Sequence, residues 1–402
     1  MQSPANALQR PTQRIDFAQT LRGLACLLVV IAHLFVLAGA RPQLIAELTG
    51  LNYPARQSSI SAAIDQHSPL SLGPFAVAIF FLVSGMVIPL SLGRMDRFAF
   101  LVARFFRLIP TYAFCLLITM TGLFVVYALF GQEYEYPWKN ALAHVALVRD
   151  LAWMRPIDGV VWTLEIEGKF YLACMLLAPL IRAGDFRGLL IVNAIITALL
   201  VWVGTPPVEL AATNVRWYAL MCAFSLSAMC IGFMWIGTIF CFHWQGRCTT
   251  KQAWVAILLL DAMFIAQLYW GGSSPSSIHN VLFVAYQAAL VLFAAAYVAP
   301  AWMLRSVWLD RIAQISYPLY AVHAMLGYAI EQAVFHWTGN LYLSMLTACA
   351  AAFAVAIPIH FYIERPSQEF GRWLSKRVNR LETPPKPEVV SLPLATPVRA
   401  AA

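Results

Sequence analysis

Long apolar stretches alternate with short polar connections along almost the whole chain. Ten of these stretches approach the length of about 20 residues that a membrane-spanning helix needs. Their approximate limits are 21–40, 74–93, 108–130, 161–181, 188–204, 217–241, 252–270, 279–300, 312–334 and 341–363. The pattern predicts an all-α, polytopic integral membrane protein with about ten transmembrane helices.

The polar ends of the chain define the expected domain limits. We expect a cytoplasmic N-terminal segment at 1–19, one transmembrane domain at 20–370, and a tail at 371–402 that is basic and then Pro-rich and disordered. With the N-terminus inside, most Lys and Arg residues of the connections fall on the side of the two termini. The positive-inside rule therefore predicts that both termini are cytoplasmic.

Composition supports this class and excludes others. The chain is 61% hydrophobic and 11% charged, whereas soluble proteins have about 25% charged residues. The net charge is +8, but the basic residues lie between apolar segments and not on one patch, which argues against a nucleic-acid partner. No zinc or nucleotide motif is present. We expect neither a bound metal nor a permanently bound cofactor.

Two polar side chains lie inside the first apolar stretch. Arg22 and His33 are eleven residues apart, about three helical turns, so they share one face at a separation of roughly 16 Å along the helix axis. An arginine or histidine inside a membrane helix is costly and is by default a candidate functional residue that faces the bundle interior.

The fourth stretch begins with three charged residues. Glu165 and Lys169 have the spacing and order of a favourable ion pair on one helix face. Glu167 points away from both, and we expect it at the depth of His33, where a carboxylate would orient and charge the imidazole. The alternative is that the helix starts later and leaves all three at the outer interface.

Two further elements carry candidate chemistry. Arg104 and Arg107 precede the third stretch on one helix face, and two guanidinium groups so placed bind phosphates well; the alternative is the positive-inside rule alone. His323, in the ninth stretch, lies at the predicted depth of His33. Tyr320 shares its face, and packing is the simpler role for that tyrosine.

These residues fall into motifs that occur in one order in a known family. The motifs are RID at 14–16, LRGLA at 21–25 followed by His33, FFLVSGM at 80–86, RFFR at 104–107, WTLEIE at 162–167 with FY at 170–171, SYPLYAVH at 316–323 and ERP at 364–366. From about residue 14 to 370 the chain resembles the membrane-bound acyltransferase family 3, which O-acylates bacterial surface glycans and exopolysaccharides. It departs from the family pattern at 168–169, where Gly and Lys follow Glu167.

The resemblance implies acyl-CoA-dependent O-acyl transfer, most often of an acetyl group, to a sugar or polysaccharide hydroxyl at the bacterial cytoplasmic membrane. The partners would be acyl-CoA as co-substrate, a sugar or glycan acceptor that can be lipid-linked, and membrane lipids. His33 and Glu167 would be catalytic. Arginines would bind acyl-CoA, namely Arg22, Arg104 and Arg107. Four side chains are candidates for lining the substrate site: Ser84, Trp162, Tyr320 and His323.

A second class of function fits the same buried charges. Intramembrane Arg, His, Glu and Lys residues also mark the polar pathway of a transporter or a flippase for a lipid-linked sugar. The chain shows no inverted repeat of the kind common in transporters. A passive scaffold does not explain so many charged residues within apolar stretches.

Overall fold

The computed structural model describes residues 16–51, 57–93, 95–134, 138–272, 274–300 and 306–382. Their regular structure is helical. In chain order the helices are α1 (Asp16–Ala40), α2 (Pro42–Thr49), α3 (Ser59–His67), α4 (Leu72–Leu92), α5 (Arg97–Leu129), α6 (Trp138–Val145), α7 (Val161–Leu176), α8 (Ala178–Ala183), α9 (Phe186–Val203), α10 (Val208–Thr213), α11 (Val215–Trp244), α12 (Thr250–Trp270), α13 (His279–Val298), α14 (Val307–Val322), α15 (Met325–Thr338), α16 (Leu341–Ile359) and α17 (Arg365–Glu382).

Eight helical segments in the described residues are long and apolar enough to cross a membrane. They are α1, α4, α5, α9, α11, α12, α13 with its preceding turn, and α16 continued into α17. The expectation of an all-α polytopic membrane protein is confirmed. The fourth and ninth predicted spans differ from the others, because each is divided into two shorter helices, α7 with α8 and α14 with α15.

The two divided spans have different causes. Pro179 lies in the first turn of α8, where its missing N–H group ends the hydrogen-bond ladder that would join α8 to α7. Between α14 and α15, Ala324 has φ −73° and ψ −81°, outside the usual helical region. The SYPLYAVH motif ends at the second of these breaks, whereas the WTLEIE motif lies at the start of α7, away from the first.

α1 packs against α4 and α14, and α4 in turn packs against α11. Glycines permit these close crossings. A Cβ atom at Gly85 would overlap the backbone of Met234, and one at Gly23 would overlap the backbone of Leu309. Small residues at helix crossings are the usual means of close packing in membranes. Gly85 of the FFLVSGM motif is therefore explained by packing.

The expected ion pair between Glu165 and Lys169 is wrong. Glu165 accepts hydrogen bonds from Arg149 at 3.1 and 2.6 Å, and Lys169 binds Asp150 and Ser227. Glu165 and Lys169 thus both hold the connection between α6 and α7. A partner elsewhere in the chain can outcompete a helical neighbour, because an i,i+4 pair contributes only about 0.2–0.5 kcal/mol.

The basic first part of the predicted C-terminal tail belongs to a helix that packs on the bundle. α17 packs along α5, and the Ser367 hydroxyl donates a hydrogen bond to the Phe106 carbonyl. Residues 371–382, which the sequence assigns to the tail, are helical. The rest of that predicted tail, 383–402, lies outside the described residues, as does 1–15, most of the predicted N-terminal segment, including Arg14.

Candidate active site

His33 lies where α1 leaves regular α-helical geometry. Residues Ala32–Leu37 form a π-helical segment, and such segments are often found at functional sites. His323 lies at a second irregularity, immediately after the end of α14. The ring centroids of the two histidines are 5.0 Å apart, in agreement with their common predicted depth.

Tyr328 of α15 completes this group, which we call the histidine cluster: His33, His323 and Tyr328. The Tyr328 ring stacks on His33 with a centroid distance of 6.3 Å and an interplanar angle of 10°. His323 and Tyr328 are 0% and 1% exposed. The His33 Nδ1, His323 Nε2 and Tyr328 hydroxyl atoms are buried and have no hydrogen-bond partner in the described part of the chain. Three such atoms on neighbouring rings make this cluster a candidate site for a polar group, because buried polar atoms are otherwise almost always paired.

The tautomer of His323 follows from its one hydrogen bond. His323 Nδ1 lies 2.8 Å from the carbonyl oxygen of Tyr320, and a carbonyl oxygen only accepts. Nδ1 therefore carries the proton, so in the neutral ring Nε2 carries the lone pair. The atom of His323 without a partner is thus a hydrogen-bond acceptor.

Of the remaining candidate residues, Tyr320 borders the histidine cluster. The Tyr320 ring is 5.6 Å from His323 and 5.7 Å from Phe80 of α4. The hydroxyl groups of Tyr320 and Thr163 are 2.8 Å apart, which joins the WTLEIE motif to α14. Trp162 contacts Phe81 edge-on, and Ser84, one turn after Phe80, is half-buried.

The three candidate arginines form a second group, the arginine cluster, which we define as Arg22, Arg104 and Arg107 with the carboxylates of Glu167 and Glu364. Arg22 interacts electrostatically with Arg107, Glu364 and Glu167. Arg104 and Arg107 both interact with Glu167, and Arg107 also with Glu364. The Arg104 side chain lies over the rings of Phe100 and Tyr171 at 5.3 and 5.5 Å. Its Nε is buried without a partner among the described residues.

Glu167 lies with the arginines and not with His33. Its carboxylate accepts a hydrogen bond from Tyr171, and its electrostatic partners are the arginines named above. Within the described residues no carboxylate hydrogen-bonds His33. The structure thus does not bring together the two side chains that the sequence pairs as base and orienting acid, because α7 places Glu167 nearer to the Arg22 end of α1.

A family model described as an acyltransferase domain matches residues 15–363. The chain belongs to this acyltransferase family. No curated protein and no solved structure shows significant similarity to the chain. The match covers every residue of the histidine cluster, and of the arginine cluster all but Glu364, which directly follows it.

Sequence reasoning missed two residues of the acyltransferase's clusters. Glu364 is 2% exposed; it accepts hydrogen bonds from Gln368 Nε2 at 2.9 Å and contacts His360 Nδ1 at 2.7 Å. Its place in the ERP motif was a signal that could have found it. Tyr328 lies five residues after the SYPLYAVH motif. No pattern in the sequence distinguishes it from the other aromatic residues of the chain.

Proposed function

We propose that this acyltransferase moves an acyl group, most simply acetyl, from cytoplasmic acyl-CoA to a hydroxyl group of a sugar or polysaccharide at the membrane. The observation that carries the proposal is that each of the two clusters contains one residue of α1. Arg22 and His33 are separated by eleven residues of α1, or roughly 16 Å of helical rise. One extended donor molecule can therefore reach both.

The arginine cluster has the charge that a CoA donor requires. Three guanidinium groups face two carboxylates, so the cluster retains a positive charge. Guanidinium groups bind phosphate oxygens through charge-assisted, bidentate hydrogen bonds, and Arg104 Nε is a donor without a partner in the described chain. We infer that the phosphates of acyl-CoA bind here while the pantetheine arm extends along α1.

The histidine cluster has the groups that acyl transfer requires. His33, as a neutral imidazole, removes the proton of the acceptor hydroxyl as its oxygen attacks the thioester carbonyl carbon. The C–S bond then breaks, and His33 returns the proton to the CoA thiolate. The buried Tyr328 hydroxyl is a donor for the negative charge that develops on the carbonyl oxygen.

The predicted topology indicates the side of the membrane from which each substrate approaches. On the predicted topology, Arg104 and Arg107 lie at the cytoplasmic end of the bundle, where acyl-CoA is available, and His33 lies deeper. We propose the cytoplasmic membrane of a bacterium as the location, and a lipid-linked or surface glycan as the acceptor that approaches the histidine cluster.

Purified protein in lipid nanodiscs tests the proposal. With radiolabelled acetyl-CoA and a simple sugar acceptor such as methyl glucoside, we expect release of free CoA thiol and a labelled glycoside. His33→Gln should abolish transfer with acetyl-CoA binding retained, and a well-placed base predicts a loss of about 10²–10⁴-fold. A protein that neither binds nor consumes acetyl-CoA would contradict the proposal and favour a transporter.

A further inference from the structure

We propose that His323 is a positioning residue for His33: its Nε2 accepts the N–H group of His33, fixes the tautomer of that ring and stabilises its protonated form. The inference rests on the proposed function, in which His33 removes the proton of the acceptor hydroxyl. It gives His323 the part that the sequence analysis assigned to Glu167.

The hydrogen bond of His323 to the Tyr320 carbonyl prepares it for this role. Because Nδ1 donates to that carbonyl at 2.8 Å, the lone pair of the neutral ring is on Nε2. His323 is 0% exposed. The ring therefore presents a fixed acceptor, and it cannot turn over without breaking its bond to Tyr320.

The distance between the two rings allows a direct bond. Their centroids are 5.0 Å apart and their planes are inclined by 49°, so a modest rotation of His33 brings a nitrogen of each ring within hydrogen-bond distance. His33 Nδ1 and His323 Nε2 are the two nitrogens that are buried without partners in the described residues. Catalytic hydrogen bonds are often long in the free enzyme and shorten in the complex with substrate.

With His33 and His323 in these roles, the proton of the acceptor hydroxyl is accounted for at every step. The hydroxyl proton moves to the free nitrogen of His33 as the C–O bond forms, and it moves on to the thiolate as the C–S bond breaks. His323 remains neutral throughout and only accepts a hydrogen bond. A neutral acceptor stabilises the imidazolium without placing a buried negative charge beside the base, a charge that would be costly.

Two substitutions of His323 distinguish a role in positioning His33 from a purely structural role. In His323→Asn the amide NH₂ group can replace Nδ1 as donor to the Tyr320 carbonyl, but no atom remains at the Nε2 position. In His323→Gln the longer side chain brings its amide oxygen near the Nε2 position. A purely structural role at the end of α14 predicts that Asn replaces His323 well. A positioning role predicts that Gln is the better replacement.

Kinetics with acetyl-CoA and methyl glucoside form the first part of the test. We expect His323→Asn to lower kcat about tenfold to a hundredfold, to leave the KM for acetyl-CoA unchanged, and to shift the pH profile of kcat. His323→Gln should recover a substantial part of kcat. Wild-type kcat and an unchanged pH profile in His323→Asn would overturn the inference.

Nitrogen-15 NMR of histidine-labelled protein forms the second part and needs no substrate. The ring signals of His33, assigned with the His33→Asn variant, should show one dominant tautomer in the wild type. They should show a mixture in His323→Asn and again one tautomer in His323→Gln. Unchanged His33 signals in His323→Asn would also overturn the inference. If the wild type does not consume acetyl-CoA, the proposed function fails, while this measurement still decides whether the rings interact.

Discussion

Arg149 donates two hydrogen bonds to the carboxylate of Glu165, at 3.1 and 2.6 Å. The side chain of Glu165 is 1% exposed and that of Arg149 is 15% exposed. This ion pair fixes the connection between α6 and α7 to the first turns of α7. A carboxylate of the WTLEIE motif therefore stabilises the fold and lies outside both clusters of the candidate site.

Removal of Glu165 should destabilise the protein without affecting chemistry. We expect Glu165→Ala to lower the free energy of unfolding by about 3 kcal/mol, because it leaves Arg149 largely buried and unpaired. The double substitution with Arg149→Ala should cost less than the sum of the single changes, as a double-mutant cycle shows for residues in contact. Thermal unfolding in detergent would measure this. Additive losses, or a changed KM for acetyl-CoA, would contradict the prediction.

Glu167→Gln should act on donor binding and not on the base. Glu167 interacts with arginines and Tyr171, so the substitution should change the KM for acetyl-CoA and lower stability. The pH profile of kcat should stay that of the wild type, because Glu167 does not contact His33. Steady-state kinetics between pH 5.5 and 8.5, an interval of about one unit or more on either side of the free histidine pKa, provides the check. A shifted pH profile of kcat would instead indicate that Glu167 orients His33.

The length and apolar composition of the stretches were sufficient to predict the fold class, since a membrane helix is specified by local composition. The same signal did not show that the fourth and ninth stretches are divided. Pro179 was visible in the sequence, but Ala324 deviates from helical geometry without a proline or glycine at the break. That division depends on packing between distant parts of the chain.

The candidate site was predictable where one helix carries it and unpredictable where several meet. The spacing of Arg22 and His33 fixes their separation within α1, and the common depth of His33 and His323 followed from counting residues. The partner of Glu167 depends on how α7 lies against α1 and α5, which no local pattern encodes. The tertiary partners of Glu165 and Lys169 were missed for the same reason.

Arg104→Lys should weaken donor binding specifically. Lysine keeps the charge but cannot form the bidentate fork of a guanidinium group, so we expect the KM for acetyl-CoA to rise about tenfold with a small change in kcat. Arg187→Lys is the matched control, because Arg187 is exposed and lies outside the arginine cluster. Equal effects of the two substitutions on KM would indicate nonspecific electrostatics.

Gly85→Ala should disrupt the crossing of α4 and α11. The added Cβ atom would overlap the Met234 carbonyl group, and because a backbone cannot rotate away as a side chain can, we expect a loss of about 1–3 kcal/mol or more. Gly73→Ala on the same helix is the control, since the atom nearest to its added Cβ is that of Ala32 at 4.0 Å. It should be neutral or slightly stabilising. Similar thermal midpoints for the two variants would refute the packing explanation.

The connection before α7 should loosen in acid because of His144. Its Nδ1 donates to the Asn140 carbonyl at 2.7 Å and its Nε2 accepts from the Ile157 N–H group at 2.8 Å, so the folded ring is neutral. Burial lowers the pKa of His144 below its ordinary value of 6.5. The unfolded connection therefore binds a proton below about pH 6.5 that the folded one does not. Stability should fall there, with a limiting slope of roughly 1.4 kcal/mol per pH unit.

Hydrogen–deuterium exchange of residues 138–160 measures this opening directly. After correction for intrinsic exchange rates, protection should decrease between pH 7.5 and 5.5, an interval that brackets the free histidine pKa of about 6.5. His144→Gln keeps a polar side chain that does not titrate, so its protection should be lower at neutral pH yet nearly independent of pH. An equally steep pH dependence in His144→Gln would place the responsible proton elsewhere.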